Sequence, residues 1–386
     1  MHGFDPPAQL VPCNTGIPSL ENSPHLSPPD LEMLVPSVSI RASVIIVGYN
    51  SRIDLERCLP GLLASAASDV EIIVVDNASQ DGSAGEIQAK FPEVHLIISQ
   101  RNQGYGGANN LGARQARGRS LVFLNPDTIV QPGWLEPLVA ALEAGSPANL
   151  VTSKVLLMDD PRRINTCGNN VHISGLTLCR GMGRPVHEFD RSVEVSAVSG
   201  AAFAMPRTLF DALGGFDERF FMYMEDTDLS MRARLAGCAC LYVPSSVVVH
   251  NYRLTFGPLK TYYQERNRYC MLLKCLRWRT LLVLLPILLL AEVVTCGFVL
   301  ARDRHHWRNK LRAYAWVIKG WDEIMRERGK VQSMRRVPDR ALLRMTGYGL
   351  GLEQTGEGRL TRVAQRIINP LFRILYRWVL ALIPGE

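Results

Sequence analysis

Leu121-Val122-Phe123-Leu124-Asn125-Pro126-Asp127 is an apolar run that stops at a polar turn carrying one carboxylate. Four consecutive apolar residues, bounded by Arg119 and by Asn-Pro-Asp, predict a central strand of a parallel sheet covered on both faces. Pro126 ends that strand because it has no N–H to give to a ladder. Ligands of open α/β sheets bind beyond the carboxyl ends of the strands, so Asp127 stands where chemistry is done. A plain turn capping a helix from Gly133 onward fits the same residues, and from this run alone the two readings stand level.

Two earlier runs repeat the arrangement. Ala42-Ser43-Val44-Ile45-Ile46-Val47 ends in Gly48-Tyr49-Asn50-Ser51, and Val70-Glu71-Ile72-Ile73-Val74-Val75 ends in Asp76-Asn77-Ala78-Ser79-Gln80-Asp81-Gly82-Ser83. Each is followed by helical spacing: Ile53, Leu55, Leu59, Leu62 and Leu63 after the first, Ile87 and Phe91 after the second. Three βα units with polar residues at the same end align Asn50, Asp76 and Asp127 on one rim, as a nucleotide site requires. Val94 to Ile98 predicts a further strand. Arg101 to Gly112 then opens a helix whose Gly104, Gly106 and Gly107 let a ligand approach the backbone, although a plain helix-start loop reads as well. The spacing is not the dinucleotide fingerprint, which needs a third glycine.

Downstream, Glu225, Asp226 and Asp228 stand at the start of a helix with apolar positions Leu229, Met231 and Leu235. The helix dipole favours acids there, which makes capping the bland reading. One cap suffices, however, and the preceding aromatic run places the three acids beside buried surface, where proton affinity is tuned.

These segments, together with Asn102-Gln103-Gly104-Tyr105-Gly106-Gly107-Ala108-Asn109-Asn110 and Glu225-Asp226-Thr227-Asp228-Leu229, resemble glycosyltransferase family 2 over about residues 40–270. The likeness is to its inverting, nucleotide-sugar-dependent members, most of all the rhamnosyltransferase-like branch. It implies an α/β GT-A fold, Rossmann-like with a mostly parallel sheet and flanking helices. It also implies Asp226 as general base, with Glu225 and Asp228 orienting it or the acceptor. Asn50, Asp76, Asn77, Asn102, Gly104, Asn109 and Asn125 fall at donor-binding positions, Asp76 toward the base or ribose. His250 joins Asp127 on a divalent metal, Mg²⁺ or Mn²⁺, while Asn125 replaces the first acid of the family's Asp-x-Asp pair. From the residues alone, Asp76 reads equally as an Asx-turn and His250 as a structural histidine. Arg266, in Tyr262 to Tyr269, suits either a diphosphate or a solvated helix face.

Charge divides the chain. The net charge of +7 hides 25 Lys and Arg against 10 Asp and Glu from Asn251 onward, and 18 against 26 before it. The basic part is interleaved with long apolar runs, which points to an anionic membrane and not to nucleic acid. Thr280 to Ala301 is long enough to cross a bilayer of ~30 Å, but Pro286 and Glu292 interrupt it and arginines flank both ends. An in-plane helix or hairpin is the expectation, with a second interfacial helix over Ile367 to Leu380. The nine cysteines are scattered and predict reduced core thiols. Eight prolines and no apolar leader mark the first forty residues. The expected organisation is a poorly ordered extension (1–40), the catalytic domain (41–272) and a membrane-associated helical tail (273–386), on the cytoplasmic face of the membrane as a peripheral or monotopic protein. The expected reaction moves a sugar, by resemblance rhamnose, from a nucleotide diphosphate sugar to a lipid-linked or other saccharide acceptor of a cell-surface polysaccharide. Galactofuranose, mannose or glucose are the alternative sugars, and a non-catalytic membrane scaffold is the rival from another class.

Overall fold

The computed structural model describes residues 39–144, 148–252, 259–302, 304–351 and 359–385, with backbone alone over 148–149, at 302 and over 359–364. The N-terminal extension lies outside the described residues apart from Ser39 and Ile40. In chain order the strands are β1 (Ala42–Gly48), β2 (Val70–Asp76), β3 (His95–Ile98), β4 (Ser120–Leu124), β5 (Thr128–Val130), β6 (Ala148–Leu157), β7 (Ile164–Thr166), β8 (Asn169–Val171), β9 (Thr177–Cys179), β10 (Val193–Glu194), β11 (Ala202–Pro206) and β12 (Ala239–His250). The helices are α1 (Arg52–Ser65), α2 (Ser83–Lys90), α3 (Gly104–Gln115), α4 (Leu135–Glu143), α5 (Arg207–Ala212), α6 (Glu225–Leu235), α7 (Lys260–Cys275), α8 (Trp278–Arg302), α9 (Arg308–Lys319), α10 (Trp321–Ser333), α11 (Asp339–Arg344) and α12 (Arg359–Leu382).

The main sheet runs β10-β12-β6-β11-β4-β1-β2-β3. β1 pairs in parallel with both β2 and β4, and β2 with β3, so their carboxyl ends share one edge. β4 is central, as expected, but its other neighbour β11 is antiparallel. That reversal marks where the all-parallel half of the sheet meets the mixed half. Strand periodicity divides the core: Val44 and Ile46 of β1 pack with Leu55, Leu59 and Trp134 on one face, while Ile45 and Val47 meet Ala108, Phe123 and Phe203 on the other. α3 lies so close to β1 that a Cβ on Gly112 would come 2.6 Å from Ile45.

Three boundaries differ from expectation. Asp127 leads into β5 before the helix begins at Leu135, because Thr128 to Val130 pair with β12. Cys240 to Pro244 and Ser246 to Val249, apolar runs that read in the sequence as separate short strands, are one strand, β12, whose pairing with β6 shifts register between Val243 and Val247. Such a shift absorbs a residue that cannot donate to the ladder. Finally, position 272, expected to close the catalytic domain, lies inside α7, and residues 40–386 form one compact unit. Met224, Met231 and Leu235 share a third apolar cluster with Met271 of α7, Leu284 and Ile287 of α8 and Phe372 of α12.

α8 is the one helix among the described residues long and apolar enough to cross a membrane. Its inner face packs, but Leu282, Leu285, Leu289, Val293 and Leu300 point outward, as do Ile367, Leu371, Ile374, Trp378 and Leu382 of α12. Glu292, midway along α8, is tied back to Arg268 of α7 and Lys310 of α9.

Candidate active site

Beyond β1 and β2, two loops hold each other. The Asn50 N–H donates to Ser79 Oγ at 2.9 Å and Gln80 N–H to Asn50 Oδ1 at 2.8 Å, with Asn50 itself left-handed at φ 52°. Asp76 closes its own loop, accepting from Ser79 N–H at 3.1 Å and Ser83 Oγ at 3.3 Å. Asn77 crosses to the glycine loop: its amide donates to Asn102 Oδ1 at 3.0 Å and to the Gly104 carbonyl at 3.2 Å, and its Oδ1 accepts from Gln103 N–H at 2.9 Å. Asn109 is buried and donates to the Tyr105 carbonyl at 3.0 Å. Asn50, Asp76, Asn77 and Asn102 thus gather on one rim. Gly104 and Asn109 have packing reasons of their own, since a Cβ on Gly104 would lie 2.1 Å from the Phe221 carbonyl oxygen.

After β4, Asp127 Oδ1 stands 3.1 Å from His250 Nε2, and Asn125 Nδ2 is 3.5 Å from the same nitrogen. The other ring nitrogen, Nδ1, is 2.8 Å from Asn165 Oδ1. An amide oxygen only accepts, so Nδ1 carries a proton, and a neutral ring held in this way would present its Nε2 lone pair beside the Asp127 carboxylate. Two acceptors facing one another are reconciled by a cation between them, and a ligating histidine held by an oxygen at its far nitrogen is the usual outer arrangement of a metal site. The residues present therefore fit a divalent ion. Among the described residues no three His, Cys, Asp or Glu side chains converge, so the protein offers Asp127 and His250, and a donor diphosphate has oxygens for the remaining positions.

The acid helix α6 follows a strained approach. Phe221, Tyr223 and Met224 have φ of 60°, 66° and 70° without being glycine, conformations that cost about 1–3 kcal/mol each and concentrate at functional sites. Asp226 is half-buried and held by four donors: Gly200 N–H at 2.8 Å, Asn169 Nδ2 at 3.0 Å, Thr227 N–H at 2.6 Å and Thr227 Oγ1 at 3.2 Å. Burial raises its proton affinity despite these bonds. Glu225 is buried with Oε2 lacking any partner, and burial followed by the charge of Asp226 pushes its pKa well above the carboxylate range. The turn at Ser199–Ala201 joins Asp226 to the segment after β4: Gly200 N–H reaches Asp226, while the Ala201 carbonyl accepts from Asn125 N–H at 3.0 Å and the Gly200 carbonyl from Tyr105 Oη at 2.8 Å.

Asp228 is not with this pair. It is buried, with its oxygens 2.8 Å from Arg232 Nε and 2.8 Å from Lys274 Nζ, and Lys274 also binds Asp217. This is a correction of the orienting role expected for it, because both oxygens are committed to buried cations behind the helix. Arg266 also departs from expectation. It lies on no solvated face; its Nη2 donates to the carbonyls of Arg219 and Phe220 and its guanidinium packs 4.3 Å from the Trp316 ring centroid, which ties it to the turn ahead of the acids. Asn165, Asn169 and Thr227 were not singled out by the sequence; the first two sit in the irregular region around β7 and β8, where no motif marks them.

The comparisons agree with this geometry. The sequence model of Glycosyl transferase family 2 matches residues 43–185, and that of Glycosyl transferase family group 2 matches residues 121–321. An N-acetylglucosaminyl-diphospho-decaprenol L-rhamnosyltransferase of Mycobacterium tuberculosis is 28% identical over 54% of this chain and 75% of its own length. The low-salt glycan biosynthesis hexosyltransferase Agl10 of Haloferax volcanii is also 28% identical, over 59% of this chain and 74% of its own. Among solved structures, S. aureus TarS 1-349 in complex with UDP-GlcNAc superposes with a TM-score of 0.50 at 16% identity, covering 87% of this chain and 90% of that one. GalNAc-T7 with UDP, GalNAc and Mn²⁺ gives 0.51 at 20% identity, over 60% of this chain and 47% of that one. At such identities the superpositions speak for the GT-A fold alone, while the sequence matches carry the family. The non-catalytic scaffold loses its ground with them: the chain is a glycosyltransferase and belongs to family 2.

Proposed function

We propose that the protein is an inverting transferase moving L-rhamnose from its nucleoside diphosphate to a lipid-linked saccharide at the cytoplasmic face of a membrane. The single observation that carries the chemistry is the Ser199–Ala201 turn, which bonds to Asp226 on one side and on the other to Asn125, two residues before Asp127 of the Asp127–His250 couple. Asp226, the more accessible acid and the one fixed by four donors, takes the proton of the acceptor hydroxyl. The hydroxyl oxygen bonds to the anomeric carbon as the bond from that carbon to the diphosphate oxygen breaks, and the nucleoside diphosphate leaves. One displacement inverts the centre. A Mg²⁺ or Mn²⁺ ion held by Asp127 and His250 would offset charge on the leaving diphosphate. Asn50, Asp76, Asn77 and Asn102 hold the nucleotide end of the donor, where their loops converge, with Gly104 and Asn109 shaping the floor and Asn125 beside the diphosphate.

The relative that acts on a decaprenol-linked substrate supports rhamnose and the lipid-linked acceptor. The outward apolar faces of α8 and α12 support attachment. Glu292 ties the middle of α8 to α7, which packs on the catalytic acids' own helix, so α8 lies along the surface with one face in lipid. Arg366, Arg373 and Arg377 line one side of the α12 apolar strip, at the level of anionic headgroups.

Asp226→Asn tests the reading, because it keeps size and most hydrogen bonds but cannot take the proton. Transfer should fall about 10²–10⁴-fold while calorimetry shows donor binding with metal unchanged. Normal turnover in this variant together with loss in Glu225→Gln would move the base to Glu225. Normal turnover in both would leave the acids as a helix cap.

A further inference from the structure

The turn delivering the acids is held from α7 by Arg266, which reaches the Phe220 carbonyl, and above all by the amide of Asn267. Phe221 has φ 60° and ψ −57°, and Met222 N–H donates to the Phe220 carbonyl at 2.6 Å, which makes a γ-turn of the rare, strained hand. Tyr223 and Met224 follow in left-handed conformations, and Glu225 begins the helix. No glycine relieves any of these positions, so something outside the turn must hold it. From one side Tyr105 N–H donates to the Phe221 carbonyl at 2.7 Å, and only a glycine at 104 leaves room for that approach. From the other, the fully buried Asn267 of α7 donates through its one amide to the carbonyls of Phe220, Met222 and Tyr223, at 3.0, 2.9 and 2.8 Å.

We propose that Asn267 is a positioning residue for catalysis: its amide fixes the strained turn and so sets the position and burial of Glu225 and Asp226. Three carbonyls of one strained turn converging on two amide protons is more than helix packing needs. Leu and Met would fill the same space, but neither can donate. The proposal rests on the assignment of the base to the Glu225–Asp226 pair. Without the amide, the turn relaxes toward ordinary φ, the acids shift, and water reaches them. A misplacement of about 1 Å is enough to cost about a hundredfold in rate. Entry of water also returns a burial-raised acid toward its usual range, so the acid limb of the pH–rate profile moves to lower pH.

Asn267→Leu, which keeps volume, and Asn267→Ala are measured as the full chain in detergent, beside Asn267→Ser, which keeps one donor. The expected result is kcat lower by about 10–100-fold in the Leu and Ala variants, donor affinity with metal within about twofold of the parent, an acid limb displaced downward, and Ser intermediate. An unchanged kcat, or a kcat lost in step with donor affinity and folded fraction, overturns the proposal. So does failure of both variants to fold, which would make the amide a general structural bond. If Asp226→Asn and Glu225→Gln both transfer normally, the reading of the base falls by itself. A slow Asn267 variant with an unmoved acid limb sinks only the present proposal.

Discussion

Glu225→Gln should make the protein more stable and less active, and the first effect should depend on pH with a definite sign. Glu225 is buried, its Oε2 has no partner, and Asp226 is next to it. Its proton affinity in the fold is therefore raised above the ordinary value of 4.5, by burial first and by Asp226 second. A group raised in this way contributes most below the unfolded pKa, where both states are neutral. Its contribution is lost as pH rises through the folded value, since the unfolded chain ionises freely and the folded one does not. Glutamine mimics the neutral form at every pH. Each tenfold difference in proton affinity is worth about 1.36 kcal/mol, so relief of order 1–3 kcal/mol is expected at neutral pH, vanishing near pH 4. The unit that unfolds runs from Ile40 onward, and at an unfolding entropy of about 2.1 cal/mol/K per residue about 2 kcal/mol corresponds to a rise in melting temperature of only about 3 °C. The assay is a thermal scan of parent and variant in mild detergent from pH 4 to 8, without metal or nucleotide, because bound ligand adds its own stabilisation. A gap that is constant with pH, or that widens toward acid, refutes the account of Glu225.

Three further outcomes are expected. Asp127→Ala should abolish metal-dependent donor binding in calorimetry, with His250→Ala weakening it less; equal donor affinity in all three proteins would remove both residues from the metal. Asn165→Leu leaves the His250 ring free to place its proton on Nε2, and should weaken Mn²⁺ affinity about 10–100-fold in titrations with nucleoside diphosphate present. Were Asn165→Leu to bind Mn²⁺ as the parent does, the orientation of the ring would have some other source. Leu289→Glu with Ile374→Glu, both on outward apolar faces, should release folded protein from membranes that high salt alone does not strip. Extraction of the parent by salt would show that α8 and α12 are covered by protein and not by lipid.

The parts of this molecule legible in the sequence are those in which a local pattern has only one physical outcome. The apolar runs of β1, β2 and β4 could be read because strands buried on both faces need no alternation, and the polar breaks after them fixed which end of the sheet holds Asn50, Asp76 and Asp127. Glu225 and Asp226 were legible as acids in excess of what a cap requires. The antiparallel β11 was not, since Ala202 to Pro206 is as apolar as the mutually parallel β1, β2 and β4 and carries no sign of direction. Asp228 and Arg266 stood inside motifs and were read with them. Their actual partners, Lys274 and the Phe220 carbonyl, are 46 residues away in each case, and pairing over such distances leaves no trace in spacing.

The strained turn was the least legible element of all. Sequence rules find left-handed backbone through glycine, because glycine occupies it without cost. Here the left-handed residues are Phe221, Tyr223 and Met224, which a reader of the sequence assigns to a strand or a helix start. The glycine that the turn requires is at 104, on another element, where it makes room for the Phe221 carbonyl. The donors are at 105, 266 and 267. A loop that bends itself with glycine moves easily, whereas one bent by contacts from α3 and α7 stays bent only while both helices are seated. α3 begins with the glycine loop that Asn77 bonds, and α7 reaches through Arg268 to Glu292 of α8, whose outer face is apolar. Strain imposed from outside thus makes the position of the acids depend on the seating of α3 and α7, an arrangement that glycines within the turn would have undone.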